Sequence, residues 1–231
     1  MCGAENFDLA VRCSSCGSIL QDSVKALNLF STIYNLWRFP DSTLKKIVLA
    51  SHRNYTILLA ALEGIGLSFL GLYIIKAADI YSINFTRLIM IGVVLGIVVF
   101  LPAVYLFSGL SFLTLRVRKT GAPFWGYISG IVYGLHPLAI GTLLLIPMDM
   151  AVFGSFLFSN NPSPQVINPV SFYFLAFLGV VLLAIAAALI IRFAKVVFGQ
   201  RVVFLGIGAL FVGFFALAAE IAKRILLSAK L

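Results

Sequence analysis

Hydrophobic and polar positions divide the chain into a mixed opening stretch and five apolar blocks. The blocks run approximately 56–75, 88–115, 124–148, 170–191 and 202–222, and Lys and Arg are almost absent from them. Each is long enough to supply the roughly 20 helical residues that cross a bilayer. Apolar side chains run all the way round these blocks without alternation of period two, which excludes a transmembrane barrel. Lipid cannot satisfy peptide N–H and C=O groups, so each span must be helical. The expected fold class is an all-α membrane protein with five transmembrane helices and a short polar head. The second block is too long for one straight crossing, since residues 88–115 would extend roughly 42 Å. Pro102 sits in its middle and withholds an amide from the Val98 carbonyl, so a kink is expected there.

Composition agrees: 61% of residues are hydrophobic and 11% charged, far from a soluble globular domain. Charge placement then suggests an orientation. Arg12, Lys25, Arg38, Lys45, Lys46 and Arg53 precede the first span; Arg116, Arg118 and Lys119 follow the second; Arg192, Lys195 and Arg201 lie between the fourth and fifth. Those twelve share one side, against five on the other (Lys76, Arg87, Lys223, Arg224 and Lys230). Basic residues favour the cytoplasmic side. The expectation is a multi-pass protein of the cell membrane, N-terminus cytoplasmic and C-terminus exoplasmic, with the basic C-terminal tail running against the trend. The net charge of +9 is explained by this loop placement and by attraction to anionic membrane lipids. No basic run is interleaved with exposed aromatics, so nucleic acid is not an expected partner.

Three regions follow: a cysteine-bearing segment 1–22, a linker with a juxtamembrane helix 23–55, and the membrane domain 56–231. In the linker, Pro40 is expected to block a helix before it, with Asp41 or Ser42 as N-cap of the helix after it. That helix puts Leu44, Ile47 and Val48 on one face and Lys45, Lys46 and Arg53 towards another. This pattern predicts a helix lying on the inner leaflet, with Trp37 and Phe39 anchored at the headgroups; the plainer reading is a connector.

Candidate chemistry is sparse. Cys13-Ser-Ser-Cys16-Gly17 has the spacing of a zinc knuckle, in which glycine permits the tight turn that aims two sulfurs at one metal. Cys2-Gly3 looks like half of another. With the N-terminus cytoplasmic these thiols meet a reducing compartment, where clustered cysteines bind metal more often than they pair. Cys2, Cys13 and Cys16 are three of the four ligands of a structural zinc site, and Asp8, His52, water or a second copy could supply the fourth. The alternative is three ordinary thiols. Within the spans, Glu63, Tyr133 and His136 are either a proton or ion path or interhelical hydrogen-bonding glue. Gly126, Gly130 and Gly134 share a face of the third span, and Gly92 and Gly96 a face of the second. Such faces let helices approach closely, within one copy or in a homo-oligomer. No paired carboxylates, G-x-S-x-G or H-E-x-x-H occur, so no enzyme is expected.

Ile33-Tyr-Asn-Leu-Trp-Arg-Phe-Pro40-Asp-Ser-Thr-Leu-Lys-Lys-Ile47, then five spans with Tyr133-Gly-Leu-His-Pro137-Leu in the third and a short hairpin after Ile191-Arg-Phe-Ala-Lys195, resembles the Yip family (Ypt/Rab-interacting proteins). The resemblance covers about residues 30–222. Cys2-Gly-Ala-Glu-Asn6 and Arg12-Cys-Ser-Ser-Cys16-Gly-Ser-Ile-Leu20 are similar to short prokaryotic zinc ribbons, with Arg12 where an aromatic is usual. In that pattern the partner of Cys2 falls two positions before Met1, which predicts a coding sequence that begins upstream. Together these resemblances imply a prokaryotic membrane scaffold or adaptor that organises membrane or binds a cytoplasmic protein. The alternative is a small transporter or channel using Glu63 and His136.

Overall fold

The structure is a computed structural model of the chain and describes residues 2–6, 12–20, 26–81, 84–114 and 122–198. The expected fifth span, 202–222, lies outside the described residues, as do Asp8, Lys25, Arg116, Arg118, Lys119 and the C-terminal basic residues. Among the described residues the chain is helical, with isolated β-bridges and no strand. Nine α-helices occur among them: α1 Leu29–Arg38, α2 Pro40–Leu49, α3 Thr56–Ile74, α4 Ala77–Tyr81, α5 Phe85–Leu95, α6 Leu101–Thr114, α7 Phe124–Phe153, α8 Pro164–Ile167 and α9 Pro169–Phe198. A π-helical turn, Gly96–Phe100, joins α5 to α6, and a 3-10 turn, Gly154–Phe158, follows α7.

Among the described residues four helical segments are long and apolar enough to cross a membrane: Thr56–Ile74, Phe85–Leu113, Phe124–Phe158 and Pro169–Phe198. Their outer faces carry large apolar side chains in the open, among them Met90, Leu106, Phe177 and Val180. Contiguous apolar surface of that kind is rare on a protein that meets only water. The last three segments are 29, 35 and 30 residues long. At 1.5 Å per residue they exceed the roughly 30 Å of hydrocarbon.

Several boundaries differ from expectation. The third and fourth helices run on past 148 and 191, so much of the expected outer loop 149–169 is helical and Arg192 and Lys195 sit on the last turns of α9. Hydropathy reads burial in lipid, whereas a helix continues until its backbone hydrogen bonds end. Asn84 starts α5 by accepting the Arg87 amide at 2.9 Å, three residues ahead of the expected start. Pro102 acts, but by a different device: the Leu101 amide donates five residues back, to Gly96. A wider π turn before proline accommodates the ring and the missing donor together.

The linker differs more. A helix does precede Pro40: α1 is N-capped by the Asn28 side chain, which accepts the Ser31 amide at 3.1 Å, and it stops at Arg38. Proline disfavours helical geometry only in the residue before it, here Phe39. Neither Asp41 nor Ser42 is the N-cap of α2. Phe39 holds that position without a side-chain bond, and Pro40 takes the first helical position, where its missing N–H costs nothing. The apolar face of α2 does not lie open to a leaflet either. Leu44, Ile47 and Val48 are 0% exposed.

Contacts divide the chain into two compact units. Of the described residues, one unit takes those up to Ile57, Tyr105–Leu135 and Ala187–Phe198, and an aromatic core carries its packing. Tyr127 lies 5.3 Å from Phe193 and 5.5 Å from Phe112, ring to ring, and its hydroxyl reaches Ser111 Oγ at 3.2 Å. The Val48 carbonyl lies against Gly126, and Thr56 and Ser129 hydroxyls meet at 3.1 Å, so α2 and the start of α3 are fastened to the first turns of α7. In the unit of Leu58–Val104 and His136–Ala186, Phe69, Leu88, Phe100, Phe153 and Phe158 build the core. Asp79 of α4 accepts from Ser159 Oγ at 2.5 Å and from the Asn160 amide at 2.6 Å, tying two connections together.

Candidate functional site

The head is organised around sulfur. The Cys13 amide donates to the Ser18 carbonyl at 2.8 Å and the Gly17 amide to the Cys13 carbonyl at 3.0 Å, closing a tight loop that ends in an Arg12–Ile19 bridge. Gly17 has φ +72° and Gly3 φ +69°, the left-handed region that glycine enters without a Cβ clash. The loop aims Cys13 and Cys16 inward, and Cys2 arrives opposite, its sulfur 3.4 Å from that of Cys13. All three sulfurs lie within 4.8 Å of one another.

Asn6 holds the two halves in register. Its side-chain oxygen accepts the Ser14 amide at 2.8 Å, and its Nδ2 donates to the Ala4 carbonyl at 2.8 Å and approaches Cys13 Sγ at 3.3 Å. Sequence reasoning assigned Asn6 no role, although it closes the Cys2-Gly-Ala-Glu-Asn stretch. Amides at Cys16 and Ser15, joined by the Asn6 side chain, pull the Cys13 thiol down to about 6. The Ser18 hydroxyl, 3.0 Å from the Cys16 sulfur, and its amide lower that thiol too. Donors aimed at sulfur favour the thiolate, the form that ligates metal.

The donor set fits a zinc ion. Tetrahedral Zn–S bonds of about 2.3 Å place sulfurs roughly 3.8 Å apart, a separation these side chains reach with small rotations. His52 does not join the cluster, and Asp8 lies outside the described residues. No protein-family model, curated protein or solved structure matches the chain.

Glu63 and His136 are both fully buried within one unit, while buried Tyr133 belongs to the other. Among the described residues neither carboxylate oxygen of Glu63 has a hydrogen-bond partner, so Glu63 and His136 are not bonded to each other. The small-residue faces are occupied within the chain. A Cβ on Gly92 would meet the Phe69 ring at 2.5 Å, and one on Gly96 the Ile65 backbone at 2.5 Å. Gly126 faces the Val48 carbonyl, Gly130 the Phe193 ring, and Gly134 the Ile190 Cδ1, which a Cβ would approach to 2.8 Å.

Two further glycines carry close approaches that sequence reasoning passed over. A Cβ on Gly64 would lie 2.6 Å from the Gly96 carbonyl oxygen, so α3 and the π turn cross backbone to backbone. Gly66 lies against Thr142, whose hydroxyl donates to the Leu62 carbonyl at 2.9 Å. Towards α5, Ser68 of α3 donates to the Gly92 carbonyl. The available signal was Glu63-Gly-Ile-Gly66, two glycines directly after the single acid of an otherwise apolar span.

Proposed function

We propose that this protein is a membrane-embedded scaffold or adaptor whose cytoplasmic head is ordered by zinc through Cys2, Cys13 and Cys16. The observation that carries the reading is the three-sulfur cluster, with its inward amides, joined to a chain with four membrane-length helices. A head this small has no hydrophobic core, and metal binding would supply its folding free energy. Clustered thiolates on a glycine-turned knuckle suit a structural metal site. The resemblance to Yip-type membrane domains and prokaryotic zinc ribbons supports the same reading and adds the fifth span and a cytoplasmic N-terminus to it. Such a protein would present the head to a cytoplasmic partner while the spans hold it in the bilayer.

The test uses the full-length protein purified in detergent. Elemental analysis is expected to find one zinc per chain, lost on replacing Cys13 and Cys16 with Ser. Crosslinking in cells is expected to capture a defined partner only with those cysteines in place. Protein free of zinc, with unchanged crosslinks after the double replacement, refutes the proposal.

A second reading draws on Glu63. A buried carboxyl with both oxygens unpartnered inside an apolar helix is the kind of group a proton or ion pathway employs. Flux through reconstituted vesicles that disappears with Glu63→Gln would favour a transporter over the scaffold.

A further inference from the structure

The exposed face of α1 is not explained by anything above. Thr32 and Leu36 turn inward and are buried, at 5% and 0% exposure. The opposite side carries Phe30, Tyr34 and Trp37, spaced four and three residues apart, so the three rings form one stripe along the helix. They are 83%, 60% and 51% exposed, and Phe39 continues the patch just past the helix end. An isolated exposed ring is ordinary; four aromatics gathered on one side mark a surface that meets something.

Three observations say what it meets. The first is depth. Helices α1 and α2 pack together, and the Val48 carbonyl of α2 lies against Gly126, in the first turn of α7, a membrane-length helix. The pair is thereby held at the level where that helix begins, beside exposed Trp125. The second is charge. α1 contains no acid, Arg38 closes its last turn, and Lys45 and Lys46 on α2 are exposed. The nearby acid, Asp41, is engaged by Arg192 at 3.3 Å. The third is the mixture itself. The Arg38 guanidinium donates to the Tyr34 hydroxyl at 3.1 Å and lies 5.3 Å from the centre of the Phe39 ring. Amphipathic rings beside cations are the composition of the membrane–water boundary, where ring bodies enter the acyl region and polar tips stay among headgroups.

We propose that the aromatic face of α1 lies in the headgroup–acyl boundary of a leaflet containing anionic lipid, so that α1 is an interfacial helix and α2 the bracket that fastens it to the spans. This keeps the expected headgroup contact of Trp37 and Phe39 and moves the remaining lipid contact from α2 to α1. It is independent of zinc in the head: loss of the metal leaves the α1–α2–α7 contacts in place.

The chain has two tryptophans, Trp37 and Trp125, which makes the test direct. The full chain carrying Trp125→Phe is reconstituted into vesicles of phosphatidylcholine and phosphatidylglycerol with brominated acyl chains. Trp37 emission is expected to be blue-shifted, quenched more by bromines near the headgroup than by bromines near the chain end, and closed to aqueous iodide. The quenching is expected to weaken in phosphatidylcholine alone. If Trp125→Phe does not fold, the difference between the native chain and Trp37→Phe reports the same residue. Red-shifted emission open to iodide overturns the proposal, because the face then meets water. Protection from both iodide and brominated lipid overturns it as well, because a second copy or another protein then covers the stripe.

Discussion

Adding one methyl group to α3 gives opposite results at two positions in the same helix. At Gly64 a Cβ would stand 2.6 Å from the Gly96 carbonyl oxygen and 3.0 Å from the Leu101 nitrogen. Ordinary C···O contacts lie near 3.3–3.6 Å, so α3 and the π turn would have to separate by roughly 0.7 Å or more. Both obstacles are backbone and cannot swing aside. Overpacking of this kind costs about 1–3 kcal/mol. Against it stands a gain of about 0.5–1 kcal/mol from replacing a helical glycine by alanine. Gly64→Ala is therefore expected to destabilise by about 1 kcal/mol and by no more than about 2.5 kcal/mol. Gly71, seven residues on in α3, has no atom of the described residues within 4 Å of a built Cβ. Only the propensity gain remains there, and Gly71→Ala is expected to stabilise by about 0.5–1 kcal/mol. Thermal unfolding of the purified chain in detergent, followed by circular dichroism, reads both. With about 2–4 °C per kcal/mol for a chain of this size, the two variants should bracket the parent protein. If Gly64→Ala melts at or above the parent while Gly71→Ala behaves as expected, the backbone crossing at Gly64 and Gly96 is refuted.

Other outcomes follow from the same geometry. Gly92→Ala should cost less than Gly64→Ala in that melting series, since its obstacle is the Phe69 ring at 2.5 Å, a side chain that can turn; an equal or larger loss would contradict this. Glu63→Met removes two buried oxygens that lack partners and should raise stability by about 1–3 kcal/mol; a lowered melting point would show that the carboxyl is bonded in the membrane. Asp79 lies outside the spans, and the Ser159 hydroxyl and Asn160 amide hold its carboxyl below the ordinary range. Its depressed value means the tie is present above the ordinary aspartate pKa and is lost as pH falls through the lowered one. The protection factor of the Asn160 amide, its exchange rate set against the intrinsic rate at the same pH, should fall over that acid range and be low at every pH in Asp79→Asn; a pH-independent protection factor in the parent chain counts against the tie. In the head, Asn6→Ala should weaken zinc retention against a competing chelator while leaving all three cysteines in place, and unchanged retention would remove Asn6 from its organising role.

How much of this was legible beforehand depends on the range of the interaction. The four described spans are a matter of composition: about 20 apolar residues in a row have few places to go except lipid or a large core, and no distant partner changes that. The knuckle at Cys13–Cys16 is equally local, because a two-residue gap and a following glycine set the turn by themselves. The disturbance at Pro102 was readable for the same reason, though its form as a π turn was not.

Tertiary structure decided what each face meets. The pattern of α2 announces an apolar side at Leu44, Ile47 and Val48, but amphipathicity cannot tell lipid from protein as the cover; the contact of Val48 with Gly126 does. The glycine faces likewise announce close approach without naming the neighbour. Gly96 meets Ile65 and Gly64 across 30 residues of sequence or more, and Gly130 receives Phe193 across 63. Asn6, one asparagine among several, became an organiser only once the fold brought Ser14 and Cys13 to it. Local chemistry and solvent preference act on neighbours along the chain and are written there. Packing partners are chosen by three-dimensional complementarity, and that exists only after the helices have met.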